Sequence, residues 1–192
     1  MKNKNRFIAI GIIGGIVIIG LLYFAFMFFA AFGGLNFLIH VPKPEITYGE
    51  FPFCLTYELD DEIKVIEDTI ICEFDGFEVI GESGKYRKWK TSLKSENEQL
   101  TLLDLRPSGK TNELGQKVLE LYFYYGSAAY YMGDNNNPFA REAQGFDYVS
   151  YEYQTMDGKN GKSGYDAEEA YEKFKIRLIN WEVSEPIQNK FK

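Results

Sequence analysis

The chain has 192 residues, with 21 Lys and Arg, 28 Asp and Glu, one His, two Cys and a formal charge of −7. One histidine and two cysteines fall short of the roughly four ligands that a zinc site built on His and Cys takes, and a Ser-His-Asp or Cys-His centre would have to use His40, which sits in a linker where the fold hardly fixes it. The acidic balance disfavours nucleic acid as a partner.

The N-terminus carries Lys2, Lys4 and Arg6, and no charged residue follows from Phe7 to Ile39. Phe7–Phe32 is 26 residues long and polar only at Tyr23, against roughly 20 residues needed to cross a bilayer core. A core helix of a globular domain would carry polar residues at helical spacing. Ala31 and Gly33 offer the small residues of a signal-peptide cleavage site, but a cleaved signal has an apolar stretch of only about 7–15 residues. The run is therefore expected to be an uncleaved transmembrane helix over 7–33, behind a cytoplasmic tail at 1–6. The basic end stays inside, so the rest of the chain is expected outside the cell membrane, with the bilayer as first partner. Gly11 and Gly15 form a GxxxG pair, which marks close helix approach in membranes but also occurs wherever glycine is common.

Residues 34–50 read as a linker stiffened by His40-Val41-Pro42-Lys43-Pro44, and 51–192 as one domain. The first 40 residues hold three bases and no acid, so 18 bases and 28 acids remain beyond them, a net charge of −10. Lys85–Lys94 (KYRKWKTSLK) is a local basic exception. It reads as a strand with Lys88 and Lys90 toward water and Trp89 and Leu93 toward the core.

Phe53–Leu59 alternates Phe53, Leu55, Tyr57 and Leu59 against Cys54, Thr56 and Glu58, as a half-buried strand does. Asp60-Asp61 is a turn, and Ile63–Phe74 is a long β-branched strand that Phe77–Ile80 extends. Further strands are expected at Tyr86–Leu93, Leu100–Leu105, Lys117–Tyr125 and Phe146–Thr155. Ser127–Met132 reads as a helical turn and Gly133–Pro138 (GDNNNP) as loop. Asp166 is an N-cap ahead of Glu169, and Ala167, Ala170, Tyr171, Phe174 and Leu178 form a stripe, so a helix is expected over Ala167–Ile179. Antiparallel strands with one late amphipathic helix give an α+β class; a β-sandwich is the second choice.

A two-residue turn at Asp60-Asp61 pairs Leu59 with Glu62, so odd positions of the first strand share a face with even positions of the second. Cys54 and Cys72, both even, then point to opposite faces, and no disulfide is expected. Ser108–Thr111 (SGKT) and Asn160–Ser163 (NGKS) imitate a phosphate loop, but Asp104 and Met156 stand where its first glycine belongs. Asp157, Asn160 and Asp166 offer oxygen to calcium in a glycine-rich loop, without EF-hand spacing; a turn plus an N-cap explains them equally. No metal and no cofactor is expected.

Acid pairs are frequent, but neighbours on a strand point apart and do not make the facing carboxylates of a glycosidase. The tyrosines are the suggestive feature. Tyr122, Tyr124, Tyr130 and Tyr131 are the candidate contact residues for a cell-surface protein or glycan, since exposed tyrosine gives rigid, flat contact area. The expected function is a membrane-anchored binding or scaffolding domain without catalysis; the alternative is an exported hydrolase using two carboxylates. Glu67–Glu82 (EDTIICEFDGFEVIGE), Asn112–Phe123 (NELGQKVLELYF) and Phe139–Thr155 (FAREAQGFDYVSYEYQT) resemble a group of small, N-terminally anchored proteins of Gram-positive bacteria. That resemblance implies location and carries over no site residue.

Overall fold

Two aspartates set the first hairpin. In the computed structural model, which describes residues 2–31, 40–80 and 84–192, Asp60 and Asp61 take positive φ values of 53° and 63°. Such a pair makes the tight turn whose twist suits antiparallel strands. It joins β1 (Tyr48–Leu59) to β2 (Glu62–Val79) with Leu59 opposite Glu62, as the turn dictates. Phe51, Phe53, Leu55 and Tyr57 of β1 are buried with Ile70 and Cys72 of β2. Cys54 lies opposite Glu67 and Cys72 opposite Gly49; both thiols are free.

The remaining elements are β3 (Lys85–Leu93), β4 (Leu100–Asp104), β5 (Lys117–Phe123), the short α2 (Ala128–Tyr131), β6 (Tyr148–Gln154), β7 (Asn160–Asp166), α3 (Ala167–Phe174) and β8 (Ile176–Val183), preceded by the N-terminal helix α1 (Lys2–Ala31). The class is α+β. The strands form two antiparallel sheets of four each, in the orders β3-β2-β1-β8 and β4-β5-β6-β7. The two share a core. Trp181 of β8 lies 4.8 Å from Phe53 of its own sheet and 4.8 Å from Phe123 of the other, and the Tyr57 hydroxyl donates to Leu102 O at 3.2 Å.

Two strands occupy segments expected to be something else. β7 replaces the glycine-rich loop. Its Gly161 and Gly164 lie under the rings of Tyr153 and Tyr148, and a Cβ on Gly164 would stand 2.0 Å from the Tyr148 ring. Tyrosine from the neighbouring strand thus covers the backbone that glycine leaves bare. β8 replaces the last turn of the expected helix. Asp166 caps α3 as expected, accepting from Glu169 N at 2.8 Å, but Lys175 turns left-handed at φ 55° and stops the helix at Phe174. Ile176 and Leu178 then alternate inward, so Leu178 belongs to a strand and not to the helical stripe.

The chain divides into two compact units, Met1–Pro42 with Gly76–Lys88, and Lys43–Asp75 with Trp89–Lys192. In the first, the Arg87 guanidinium donates to Pro42 O at 3.2 Å and the Lys85 ammonium lies 5.1 Å from the Phe77 ring centre. The described side chains of α1, Gly14–Phe29, leave every large apolar group exposed, from 48% at Met27 to 69% at Phe24. Among the described residues no helix is long and apolar enough to cross a membrane. Phe32, the Gly33 of the cleavage reading and positions 34–39 of the linker lie outside the described residues. In the second unit, the linker's later residues are paired: Lys43 N–H donates to Lys192 O at 2.7 Å, Lys192 N–H returns to Lys43 O at 2.9 Å, and Glu45 N–H reaches Lys190 O at 2.8 Å.

Burial gives two checks. Burial pushes the Cys72 thiol from its ordinary 9.0 up to about 12, whereas Cys54 is only half-buried. A neutral, covered thiol is a poor nucleophile. Iodoacetamide on the native full chain at mildly alkaline pH is expected to label Cys54 alone, and two sulfurs after denaturation without reductant; mass spectrometry counts them. Burial also holds Tyr165 up to about 12 from 10.0. A raised folded pKa stabilises the protein below the unfolded value and ceases to do so as pH climbs through the folded one. Stability from these two groups is therefore expected to be constant below about pH 9 and to fall between about pH 9 and 12, read by circular dichroism across an alkaline titration.

A tyrosine-fronted groove and a buried carboxylate network

The outer face of the β4–β7 sheet carries polar residues in register. Tyr122 is opposite Ser150, and Ser150 opposite Gly164; Glu120 is opposite Glu152, and Glu152 opposite Lys162. A bulge between Val118 and Glu120 makes this face. Val118 points inward, the extra residue shifts the parity, and Leu121 and Phe123 then point inward while Glu120 and Tyr122 point out.

Glu120 is covered all the same, at 4% exposure. Its carboxylate accepts from Thr101 Oγ1 at 2.7 Å, from Arg106 Nη2 at 2.8 Å and from the amide of Gln99. Gln99 Nε2 also reaches Glu152 Oε2 at 3.3 Å, and Glu152 Oε1 accepts from Asn160 Nδ2 at 3.0 Å. Two like charges directly across a pair of strands repel; here amide and guanidinium donors separate them. The Lys162 ammonium adds a contact to Gln99 Oε1 at 3.4 Å and lies 5.1 Å from the Tyr122 ring centre.

Two hollows meet at Glu98 and Gln99. One, of about 300 Å³, lies over Thr101, Arg106 and Glu120. The other, of about 470 Å³, is fronted by Tyr122 and Tyr124 and edged by Thr91, Ser127 and Lys162. The four candidate tyrosines separate. Tyr124 is exposed at 37% and Tyr122 is buried apart from its edge on the groove. Tyr130 is half-covered, its ring set edge-on to Tyr131 at 5.3 Å. Tyr131 is fully buried, its hydroxyl donating to Tyr125 O at 2.5 Å. Burial raises the Tyr124 phenol, with Arg141 opposing, and burial likewise raises Tyr122. Both are neutral hydroxyls at physiological pH, able to donate as well as accept.

The residues considered for calcium are dispersed. Asp157 pairs with Lys159 at 2.8 Å, Asn160 donates to Glu152, and Asp166 caps α3; among the described residues no cluster of three or more metal-binding side chains occurs. Asn160–Ser163 is part of β7. Ser108–Thr111 is a turn in which Gly109 takes φ 64° and Lys110 N–H is used by Ser108 Oγ at 3.2 Å, so its backbone does not curl around a phosphate.

Gln99 and Arg106 give no sequence signal, because their partner is fixed only when the loops fold back. Glu120 gives one: it is an acid inside the apolar and aromatic run Val118–Tyr125, where a surface charge is out of place. Against known protein families, curated proteins and solved structures, the chain finds no significant match.

Proposed function

We propose that this is a membrane-anchored domain displayed outside the cell, and that it binds a hydroxyl-rich, neutral ligand, a cell-surface glycan, through the Tyr122–Tyr124 groove without chemistry. One observation carries the reading: the groove combines an exposed tyrosine with Thr91, Glu98, Gln99 and Ser127 at its walls. An aromatic face beside a few placed polar groups is how a concave site takes a sugar-sized ligand. A domain of net −10 repels anionic polymers, which favours a neutral glycan. Against the hydrolase, both oxygens of Glu120 and of Glu152 are already engaged by donors, and Arg106 adds a guanidinium contact to Glu120 at 2.8 Å.

The anchor rests on the uncharged run after Arg6 and on the exposed apolar surface of α1. Protease added to sealed cells is expected to digest the chain beyond Val41; protection that disappears on lysis overturns the topology. The detergent-solubilised full chain is expected to bind glycans on an array, and Tyr124→Ala to lower that signal at least tenfold with the fold intact. Unchanged binding by Tyr124→Ala moves the site elsewhere. Crosslinking in intact cells that captures a protein and no glycan replaces the ligand class.

A further inference from the structure

The Ser108–Thr111 turn leaves one feature without a use. It delivers the Lys110 ammonium to 5.0 Å from the ring centre of Phe174, while Lys173 stands 4.7 Å from that of Tyr165. The two rings are 5.4 Å apart. Between the lysines is a hollow of about 370 Å³ whose wall includes Glu113.

We propose that this hollow is a carboxylate site, with the two ammonium groups as the clamp and the Tyr165–Phe174 pair as the apolar floor for the body of a small acid. The protein already supplies a stand-in for the ligand. The Glu113 carboxylate rests on Lys173 at 3.1 Å, yet its side chain is 81% exposed, so it can leave at little cost. Glu113 is presented by a turn that Asn112 holds, its Oδ1 accepting from Leu114 N at 3.1 Å and Gln116 N at 2.9 Å. Lys110 has no carboxylate within ion-pair distance among the described residues. A monovalent acid fits the charges: Lys173 is shared by Glu113 at 3.1 Å and Glu169 at 3.4 Å, so an incoming carboxylate that displaces Glu113 leaves Glu169 in place and is answered chiefly by Lys110. This site stands apart from the tyrosine groove and does not depend on it.

The test uses the full chain in detergent with ¹³C-labelled lysine, followed by NMR at constant ionic strength. Benzoate is expected to shift the Lys110 and Lys173 signals saturably, and benzamide, its neutral relative, to leave them in place. Lys110→Gln is expected to weaken benzoate about fivefold and Glu113→Gln to tighten it by a similar factor, since each changes one exposed charge pair. N-acetylphenylalanine binding more tightly than benzoate would make a chain end the source of the carboxylate; the reverse order, a free small acid. Equal shifts by benzoate and by inorganic phosphate, or a Lys110→Gln response identical to the unsubstituted chain, overturn the proposal.

Discussion

Tyr131→Ala is expected to destabilise the protein by about 3–5 kcal/mol, the usual cost of deleting a large buried aromatic, while Tyr124→Ala stays within about 0.5 kcal/mol, as exposed positions do. The two tyrosines stand seven residues apart and are alike in sequence terms, but only Tyr131 is in the core. Its ring lies 5.0 Å from Phe51, itself 2% exposed, and its backbone oxygen accepts from Ile187 N at 2.9 Å. That last bond ties the C-terminal segment to α2. Next to it Gly133 takes φ 68°, and a Cβ there would lie 2.3 Å from Ile187 O, so the approach is too close for any other residue. Removing the ring empties a space that these contacts surround. Tyr131→Phe keeps the ring and loses one hydrogen bond, so about 1 kcal/mol is expected. Urea unfolding of the full chain in detergent separates the three. Equal midpoints for Tyr131→Ala and Tyr124→Ala would mean that the Tyr131 ring is not packed as described.

The first hairpin was legible because its information is local. Two turn residues fix the pairing of Leu59 with Glu62, and strict alternation in β1 then fixes faces as far as Gly49 and Cys72. The cap of α3 was legible for the same reason. Its end was not. Ile179 is an extra residue between Leu178, which pairs with Tyr57, and Asn180, which pairs with Thr56. The bulge moves the inward set from Ile176 and Leu178 to Trp181 and Val183, so no single period runs through β8 and a helical spacing fits its start equally well. β7 failed differently: two glycines in seven residues look like a turn until the covering tyrosines are supplied by β6. Division of the tyrosines between core and groove likewise depends on the bulge that turns Tyr122 outward, on how α2 packs, and on what the 95–99 loop covers.

The same loop decides the carboxylate question, and Glu120 tests it. Glu120→Ala strands three donors, Gln99, Thr101 and Arg106. Breaking a fully buried pair costs about 3–5 kcal/mol, but the Arg106 side chain is 53% exposed, so water takes over part of its solvation and about 2–3 kcal/mol is expected. Glu120→Gln keeps the volume and loses the charge-assisted bonds, for about 1–2 kcal/mol. Glu152→Gln, on a half-exposed residue with two amide donors, is expected to cost under about 1 kcal/mol. A hydrolase makes the opposite prediction. Catalytic acids are held in strained, electrostatically unfavourable settings, and removing one leaves stability unchanged or raises it. Urea midpoints for the three variants therefore discriminate between the readings before any substrate is found: a Glu120→Ala chain as stable as the unsubstituted one would make Glu120 a functional acid and end the non-catalytic reading of the groove.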